Sequence, residues 1–133
     1  MTLTRYFGGL VRSQVEHLSA VLGQFVFGQL RRPPLGATLD LDSTVFECYG
    51  RQEGSLKGYN PRKHGRPSHH PLLAMLAEAK LVVHAWLRSG NTSSARGVRA
   101  FLAETLARLP RDFRLYAVRA DSGFLVSEFL DEL

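Results

Sequence analysis

The residues of this chain that could most readily do chemistry are two aspartates that alternate with leucines. They occur in the run Leu39-Asp40-Leu41-Asp42. The alternation predicts a β-strand with both leucines on one face and both carboxylates on the other. Carboxylates two positions apart on a strand lie about 7 Å from each other, and they repel unless a cation lies near them. Because hard divalent cations prefer carboxylate oxygens, the pair indicates a metal site.

A second predicted strand also ends in an aspartate. Residues Phe113 to Ala120 alternate as a strand does, and Asp121 follows them. Functional residues of α/β sheets gather at the carboxyl ends of the strands. If the two strands are neighbours, Asp42 and Asp121 could share divalent metal ions and serve phosphoryl transfer. A helix cap or a turn is the alternative role for one aspartate at such a position.

The first half of the chain is predicted to contain a helix and then strands. Apolar spacing predicts a helix from Leu10 to Leu30, which Pro33 and Pro34 follow. Glycines and prolines between Glu47 and Ser68 exclude a long helix there and favour hairpin turns or an exposed loop. Residues 72–80 have the propensity of a helix, whereas 81–88 are β-branched and aromatic and predict a strand.

The second half is predicted to hold the clearest helix of the chain. Residues 91–94, Asn-Thr-Ser-Ser, offer cap chemistry for a helix that Pro110 ends. Its apolar stripe comprises Val98, Phe101, Leu102, Thr105, Leu106 and Leu109. A last helix is predicted to begin near Phe124.

Length and composition indicate one modest globular domain. The chain has 133 residues, of which 44% are hydrophobic and 22% charged. No apolar run is long enough to span a bilayer, and no secretory signal is apparent. The single cysteine, Cys48, excludes an internal disulfide. These features favour a cytoplasmic location.

The balance of charge favours a polyanionic partner. Seventeen Lys and Arg against twelve Asp and Glu give a formal net charge of +5. One Gly- and Pro-rich stretch concentrates basic residues around a tyrosine that could stack on a base or sugar. The candidate DNA contacts are Arg51, Lys57, Tyr59, Arg62, Lys63 and Arg66.

Five motifs in order resemble the bacterial insertion-sequence transposases that have a DDE catalytic triad. The similarity is greatest to the insertion-sequence-1380 group and covers roughly residues 35 to 133. The motifs are Asp40-Leu41-Asp42-Ser43-Thr44, Gln52-Glu53-Gly54, Gly58-Tyr59-Asn60-Pro61, His70-Pro71-Leu72 and Arg119-Ala120-Asp121-Ser122-Gly123-Phe124.

The resemblance implies a ribonuclease H-like α/β fold. In that fold an antiparallel three-stranded meander precedes a helix and a parallel strand, which favours strand over helix for much of residues 70 to 88. The N-terminal helical segment and linker would be residues 1–34, and the N-terminal part of the catalytic domain residues 35–133.

The resemblance also implies a reaction and its residues. Asp42 would be the first catalytic aspartate and Asp121 the second, with Asp40 as a further metal-site residue or a salt-bridged neighbour. The family's reaction is hydrolysis at transposon ends, followed by attack of the freed 3′-hydroxyl on target DNA. It uses two Mg²⁺ or Mn²⁺ ions and double-stranded DNA, and full-length members act as dimers. Such a protein would lie in the bacterial cytoplasm, on the nucleoid when DNA-bound.

The sequence departs from the family pattern at the third carboxylate. A glutamate on a later helix should follow well downstream of Asp121, but only Glu128 and Glu132 follow, both close by. The family's upstream DNA-binding region is also mostly missing. We therefore expect an incomplete catalytic core, a truncated transposase that is inactive by itself.

Two other readings remain open at this stage. The spacing of Asp40 and Asp42 also resembles haloacid dehalogenase-like phosphatases, in which Asp40 would be the nucleophile and Asp42 the acid/base beside Mg²⁺. That family needs a later lysine and an acidic pair, but Lys80 is the last lysine of the chain. The other reading is a non-catalytic DNA-binding remnant.

Overall fold

The computed structural model describes residue 5, residues 8–58, residue 60 and residues 64–124. The chain divides into two compact units, Met1–Arg31 and Arg32–Leu133. The division falls close to the end of the predicted N-terminal segment, residues 1–34.

The first unit contains helix α1, Arg12–Gln29, where the apolar spacing predicted a helix. Before its first residue, the Val11 N–H donates to Gln14 Oε1 at 3.0 Å, which satisfies one amide that the helix itself cannot pair. Many of the apolar side chains in and next to this helix are exposed, namely Val11, Val15, Leu18, Val21, Leu22 and Phe25.

The described part of the second unit is a mixed α/β structure. Its strands are β1 Ala37–Ser43, β2 Phe46–Glu47, β3 Leu56–Lys57, β4 Pro67–His69, β5 Leu72–Leu76, β6 Leu81–Trp86 and β7 Leu115–Ala120. Within these residues, the main sheet has four strands in the order β6-β5-β1-β7. The pairs β6–β5 and β5–β1 are antiparallel, whereas β1 and β7 are parallel. Helix α2, Val98–Arg108, lies between β6 and β7 in the chain.

The antiparallel meander resolves the ambiguity of residues 72–80. Helix propensity is wrong there, because Leu72–Leu76 is strand β5 and a turn at 77–80 leads into β6. Leu72, Ala74 and Leu76 alternate into the core and are almost fully buried. Burial on the inner face of a sheet outweighs the weak helix preference of Leu, Ala and Met.

Helix α2 begins later than its polar cap motif predicted. Gly97, with φ 78°, is the residue before the helix, and no side chain caps it. Residues 91–94 belong to the loop that precedes it. Four members of the predicted stripe are buried, Val98, Phe101, Leu102 and Thr105, whereas Leu106 is exposed.

A small antiparallel sheet lies between β1 and β5 in the chain, where hairpin turns or an exposed loop were predicted. Within the described residues it has three strands in the order β2-β4-β3, each short because glycines and prolines interrupt the stretch. Gly58 packs directly on the backbone of Gly90, the residue four positions after β6 ends. A methyl group on Gly58 would lie 1.8 Å from the Gly90 carbonyl oxygen.

This arrangement is compatible with a ribonuclease H-like domain. The described residues contain the expected meander, helix and parallel strand in that order. Among the described residues, no helix is long and apolar enough to cross a membrane.

Candidate active site

Asp42 and Asp121 lie side by side at the carboxyl ends of two neighbouring parallel strands. In the β1–β7 register, Asp40 is opposite Arg119 and Leu41 opposite Ala120. Asp42 is the next residue of β1, and Asp121 follows the last residue of β7. The alternation of β1 is as predicted, since Leu39 and Leu41 are buried and Asp42 is exposed. The sheet therefore brings the two predicted aspartates together in a solvent-accessible position.

Backbone amides orient both carboxylates. The Ser43 N–H donates to Asp42 Oδ1 at 2.8 Å, and the Gly123 N–H donates to Asp121 Oδ1 at 2.7 Å. Among the described residues, neither Oδ2 accepts a hydrogen bond. Each carboxylate thus has one oxygen held by a backbone amide and one that no described residue engages.

Asp40 has a cationic partner in the protein. Arg119 donates through Nε to Asp40 Oδ1 at 2.6 Å and through Nη2 to Oδ2 at 2.7 Å. This bidentate hydrogen bonding holds the pKa of Asp40 below its ordinary value, although burial acts in the opposite direction. The ion pair supplies the cation that the repulsion between Asp40 and Asp42 requires, and it engages both oxygens of Asp40.

A hydrogen-bonded network that the sequence did not reveal lies directly behind Asp42. Ser43 Oγ lies 3.2 Å from His70 Nε2 and 3.0 Å from Ser94 Oγ. The other ring nitrogen of His70, Nδ1, lies 2.7 Å from the carbonyl oxygen of Thr92. The network is not a Ser-His-Asp triad, because a carbonyl occupies the place of the carboxylate. No spacing signal could have found it, since its residues come from three separate segments.

Arg88 holds the loop that carries Ser94. Its Nε donates to the carbonyl of His70 at 2.9 Å, and its Nη1 donates to the carbonyls of Ser93 at 3.0 Å and Arg96 at 2.7 Å. One guanidinium thus joins the start of β5 to the segment before α2. The position of Ser94 is therefore set by several charge-assisted hydrogen bonds.

The predicted DNA contacts that the structure describes lie in or next to the strands of the small sheet. Arg51, Lys57 and Arg66 are exposed, and the Arg66 guanidinium lies 4.7 Å from the centre of the Tyr49 ring. Tyr59, Arg62 and Lys63 lie outside the described residues. The described part of the stretch therefore presents basic side chains to solvent, with Tyr49 as an aromatic neighbour that the sequence analysis had not singled out.

The donor set at the strand ends suits a hard divalent cation. Two carboxylates occupy adjacent strand ends there, each with an oxygen free of hydrogen bonds to the described residues. No cluster of three or more His, Cys, Asp or Glu residues able to hold a metal occurs in the described part of the chain. Glu128 and Glu132 lie outside it.

Comparison with known proteins identifies the family. No curated protein and no solved structure matches the chain significantly. The family model described as "Transposase DDE domain group 1" matches residues 1–133, which is the whole chain. Its match includes both aspartates at the strand ends and spans both compact units. The chain therefore belongs to the DDE transposase family, whose members cut and join DNA in transposition.

Proposed function

We propose that this chain supplies the first two carboxylates of a DDE active site, Asp42 and Asp121. The observation that carries the proposal is the β1–β7 register, which ends one residue before both aspartates. Family membership supports DNA as the substrate and strand cutting and joining as the reaction. Neither carboxylate is paired with a cation or a hydrogen-bonding side chain among the described residues, which leaves both available to a metal ion.

Asp42 and Asp121 would hold Mg²⁺ or Mn²⁺ through their Oδ2 atoms, while backbone amides retain the Oδ1 atoms. When bound, two such ions would activate the attacking hydroxyl and neutralise charge on the phosphate. The chain's own contribution is to fix two anionic oxygens at adjacent strand ends. Because these oxygens are exposed to solvent, a DNA backbone could approach them. We place Asp40 beside this site rather than in it, because Arg119 engages both of its oxygens.

The small sheet would guide the DNA backbone toward the strand ends. Lys57 and Arg66 are exposed cations on this sheet, which follows β1 directly in the chain. Arg51, Tyr59, Arg62 and Lys63 complete the proposed contact surface. The resemblance of the five motifs to the insertion-sequence-1380 group favours transposon ends and target DNA as the partners. It also favours action as a dimer on the bacterial nucleoid.

We further propose that the 133-residue chain cleaves DNA weakly or not at all by itself. Two carboxylates neutralise less metal charge than three, so metal binding should be weak. End-specific strand cleavage by the purified chain would contradict this part of the proposal.

Mn²⁺-induced broadening of amide signals in a ¹⁵N-labelled sample tests the site directly. Because Mn²⁺ is paramagnetic, substoichiometric amounts should first broaden the amides nearest the strand ends, including those of Ser43 and Gly123. The Asp42→Asn variant should lose this selective broadening, whereas Asp112→Asn, at the other end of β7, should retain it. Broadening centred elsewhere, or unchanged in Asp42→Asn, would contradict the proposed site.

A further inference from the structure

We infer that His70, acting through Ser43 and Ser94, is a positioning residue that fixes the two carboxylates of the site relative to each other. The inference rests on the proposed function of Asp42 and Asp121. It assigns a role to the side-chain network that the described residues form beside the strand ends.

The network begins at His70, whose side chain and backbone are both held by hydrogen bonds. The atom of Thr92 that lies 2.7 Å from His70 Nδ1 is the backbone carbonyl oxygen, which can only accept, so Nδ1 carries the hydrogen. The backbone N–H of His70 donates to the Arg88 carbonyl at 2.9 Å, and the His70 carbonyl accepts from the Arg88 guanidinium. His70 is thus anchored by its ring and by its backbone N–H and carbonyl groups.

From this anchor, Nε2 reaches Ser43, the residue whose amide orients Asp42. The imidazole nitrogen lies 3.2 Å from Ser43 Oγ, and the Ser43 N–H holds Asp42 Oδ1 at 2.8 Å. Fixing the Ser43 side chain restricts rotation of its backbone, and that backbone carries the donor to Asp42. His70 therefore acts on Asp42 through one intervening residue.

Ser94 extends the same network to the second aspartate. Its hydroxyl oxygen lies 3.0 Å from Ser43 Oγ, within hydrogen-bond distance. A methyl group on Gly123 would lie 3.5 Å from both Cβ and Oγ of Ser94 and 3.0 Å from Asp121 Oδ1. Ser94 thus packs against the glycine whose amide orients Asp121. One network adjoins the backbone donors of both carboxylates.

The experiment compares two replacements of His70 that keep different halves of the imidazole. Gln places an amide group where Nε2 lies and can still reach Ser43, whereas Asn places it near Nδ1 and can reach only Thr92. Mn²⁺ affinity is measured from the electron paramagnetic resonance signal of free Mn²⁺, and urea unfolding reports the stability of each variant. His64→Asn, which replaces an exposed imidazole outside the network, is the matched control.

A positioning role predicts that His70→Asn and Ser43→Ala each weaken Mn²⁺ binding about tenfold, as lost outer-shell partners of metal ligands do. His70→Gln should remain within about threefold of the unmodified chain, and His64→Asn should leave affinity unchanged. If His70→Asn does not fold, Ser43→Ala still tests the inference, because it removes the hydroxyl group that His70 contacts.

Other results would overturn the inference in distinguishable ways. Equal losses in His70→Gln and His70→Asn that follow their losses of stability would mean a merely structural histidine. Unchanged affinity in His70→Asn and Ser43→Ala, with binding abolished in Asp42→Asn, would remove the network's role and leave the proposed function intact. A chain that binds Mn²⁺ without dependence on Asp42 would contradict both proposals.

Discussion

Two aspartates on one strand face have different surroundings at the residue scale. Asp40 is held by Arg119, whereas Asp42 receives only a backbone amide among the described residues. The difference follows from the parallel register, which places Arg119 opposite Asp40 and continues one residue beyond Leu41 to Asp42. It separates a structural carboxylate from one that is available for a ligand.

This separation predicts the behaviour of a charge-balanced double variant. Replacing both members of the ion pair, as Asp40→Asn with Arg119→Gln, leaves the net charge near Asp42 unchanged. Mn²⁺ affinity should therefore stay within about threefold, because no ligand is lost and the local field is conserved. The free energy of unfolding should fall little, since the pair is partly exposed to solvent. A loss of affinity as large as that of Asp42→Asn, by calorimetric titration, would instead make Asp40 a ligand.

His84 gives the second unit a pH-dependent stability. It is buried, its ring stacks on Phe101 at 4.9 Å between ring centres, and its Nε2 lies 3.2 Å from Glu104 Oε2. Burial lowers the pKa of His84 below its ordinary 6.5, the positive charge of Arg108 acts in the same direction, and Glu104 opposes both. The unfolded chain therefore takes up this proton at higher pH than the folded chain.

The sign of the effect follows from this difference in proton uptake. The contribution of neutral His84 to stability is fully present above pH 6.5 and is lost as pH falls toward the lowered pKa. One proton limits the slope to about 1.4 kcal/mol per pH unit. His84→Phe, which keeps an aromatic ring on Phe101, should lose less stability between pH 7.5 and 5.5 than the unmodified chain in urea unfolding. Equal losses in the two chains would exclude the assignment.

At the scale of elements, the small sheet depends on one close approach of two backbones. A methyl group on Gly58 would lie 1.8 Å from the Gly90 carbonyl oxygen and 2.7 Å from Asn91 Cα. Since both obstacles are backbone atoms, no side-chain rotation can relieve the clash. This contact between Gly58 and Gly90 holds the end of β3 against the loop after β6. It thereby holds the small sheet, with its basic side chains, against the main sheet.

Gly58→Ala should therefore destabilise the second unit by about 1–3 kcal/mol through overpacking. Gly65→Asn is the matched control, because Gly65 has φ 78° and open space around it, a conformation that Asn tolerates. Urea unfolding and amide spectra of the small sheet measure both effects. A fully stable Gly58→Ala chain would show that β3 is not held in this way.

Elements also differ in how far the sequence predicts them. The alternation of β1 was sufficient because its leucines are buried and its aspartates are less so. Strand β7 also forms where alternation predicted it, although its burial does not alternate strictly. For β5, local propensity predicted a helix, and the family resemblance alone indicated a strand, since its stability comes from pairing with β1 and β6. The ion pair Asp40–Arg119 was predictable in principle. Aligning the two strand ends at Asp42 and Asp121 and counting back two residues places those side chains opposite each other.

At the scale of the whole molecule, the excess of basic residues should make the affinity for DNA fall as the salt concentration rises. The chain has a formal net charge of +5. Lys57 and Arg66 are exposed on the small sheet. If each neutralises one phosphate, Lys57→Ala and Arg66→Ala should each reduce the slope of log affinity against log salt by about one.

Arg111→Ala provides the control for this prediction, because Arg111 precedes β7, at the end of that strand away from Asp121. Fluorescence anisotropy with a labelled duplex at several salt concentrations measures all three variants. Slopes that change equally in all three would show that DNA binding follows overall charge rather than the small sheet.

Position in the whole fold explains why sequence reasoning found the aspartates but not the network behind them. Asp42 and Asp121 each end a recognisable strand, and a parallel sheet aligns such ends. Ser43, His70 and Ser94 meet only because β5 pairs with β1 and Arg88 draws the loop before α2 toward them. The meeting of these three residues depends on how the chain folds in three dimensions, and the spacing of residue types along the sequence does not reveal it.

The most direct test of the central claim is a double-mutant cycle of Mn²⁺ affinity over Asp42→Asn, Asp121→Asn and the pair of changes together. If the two carboxylates share a site, each single change should remove most of the affinity, and the second change should add little, because coupled groups are not additive. Additive losses would contradict the account, since they would mean that Asp42 and Asp121 act on separate ions.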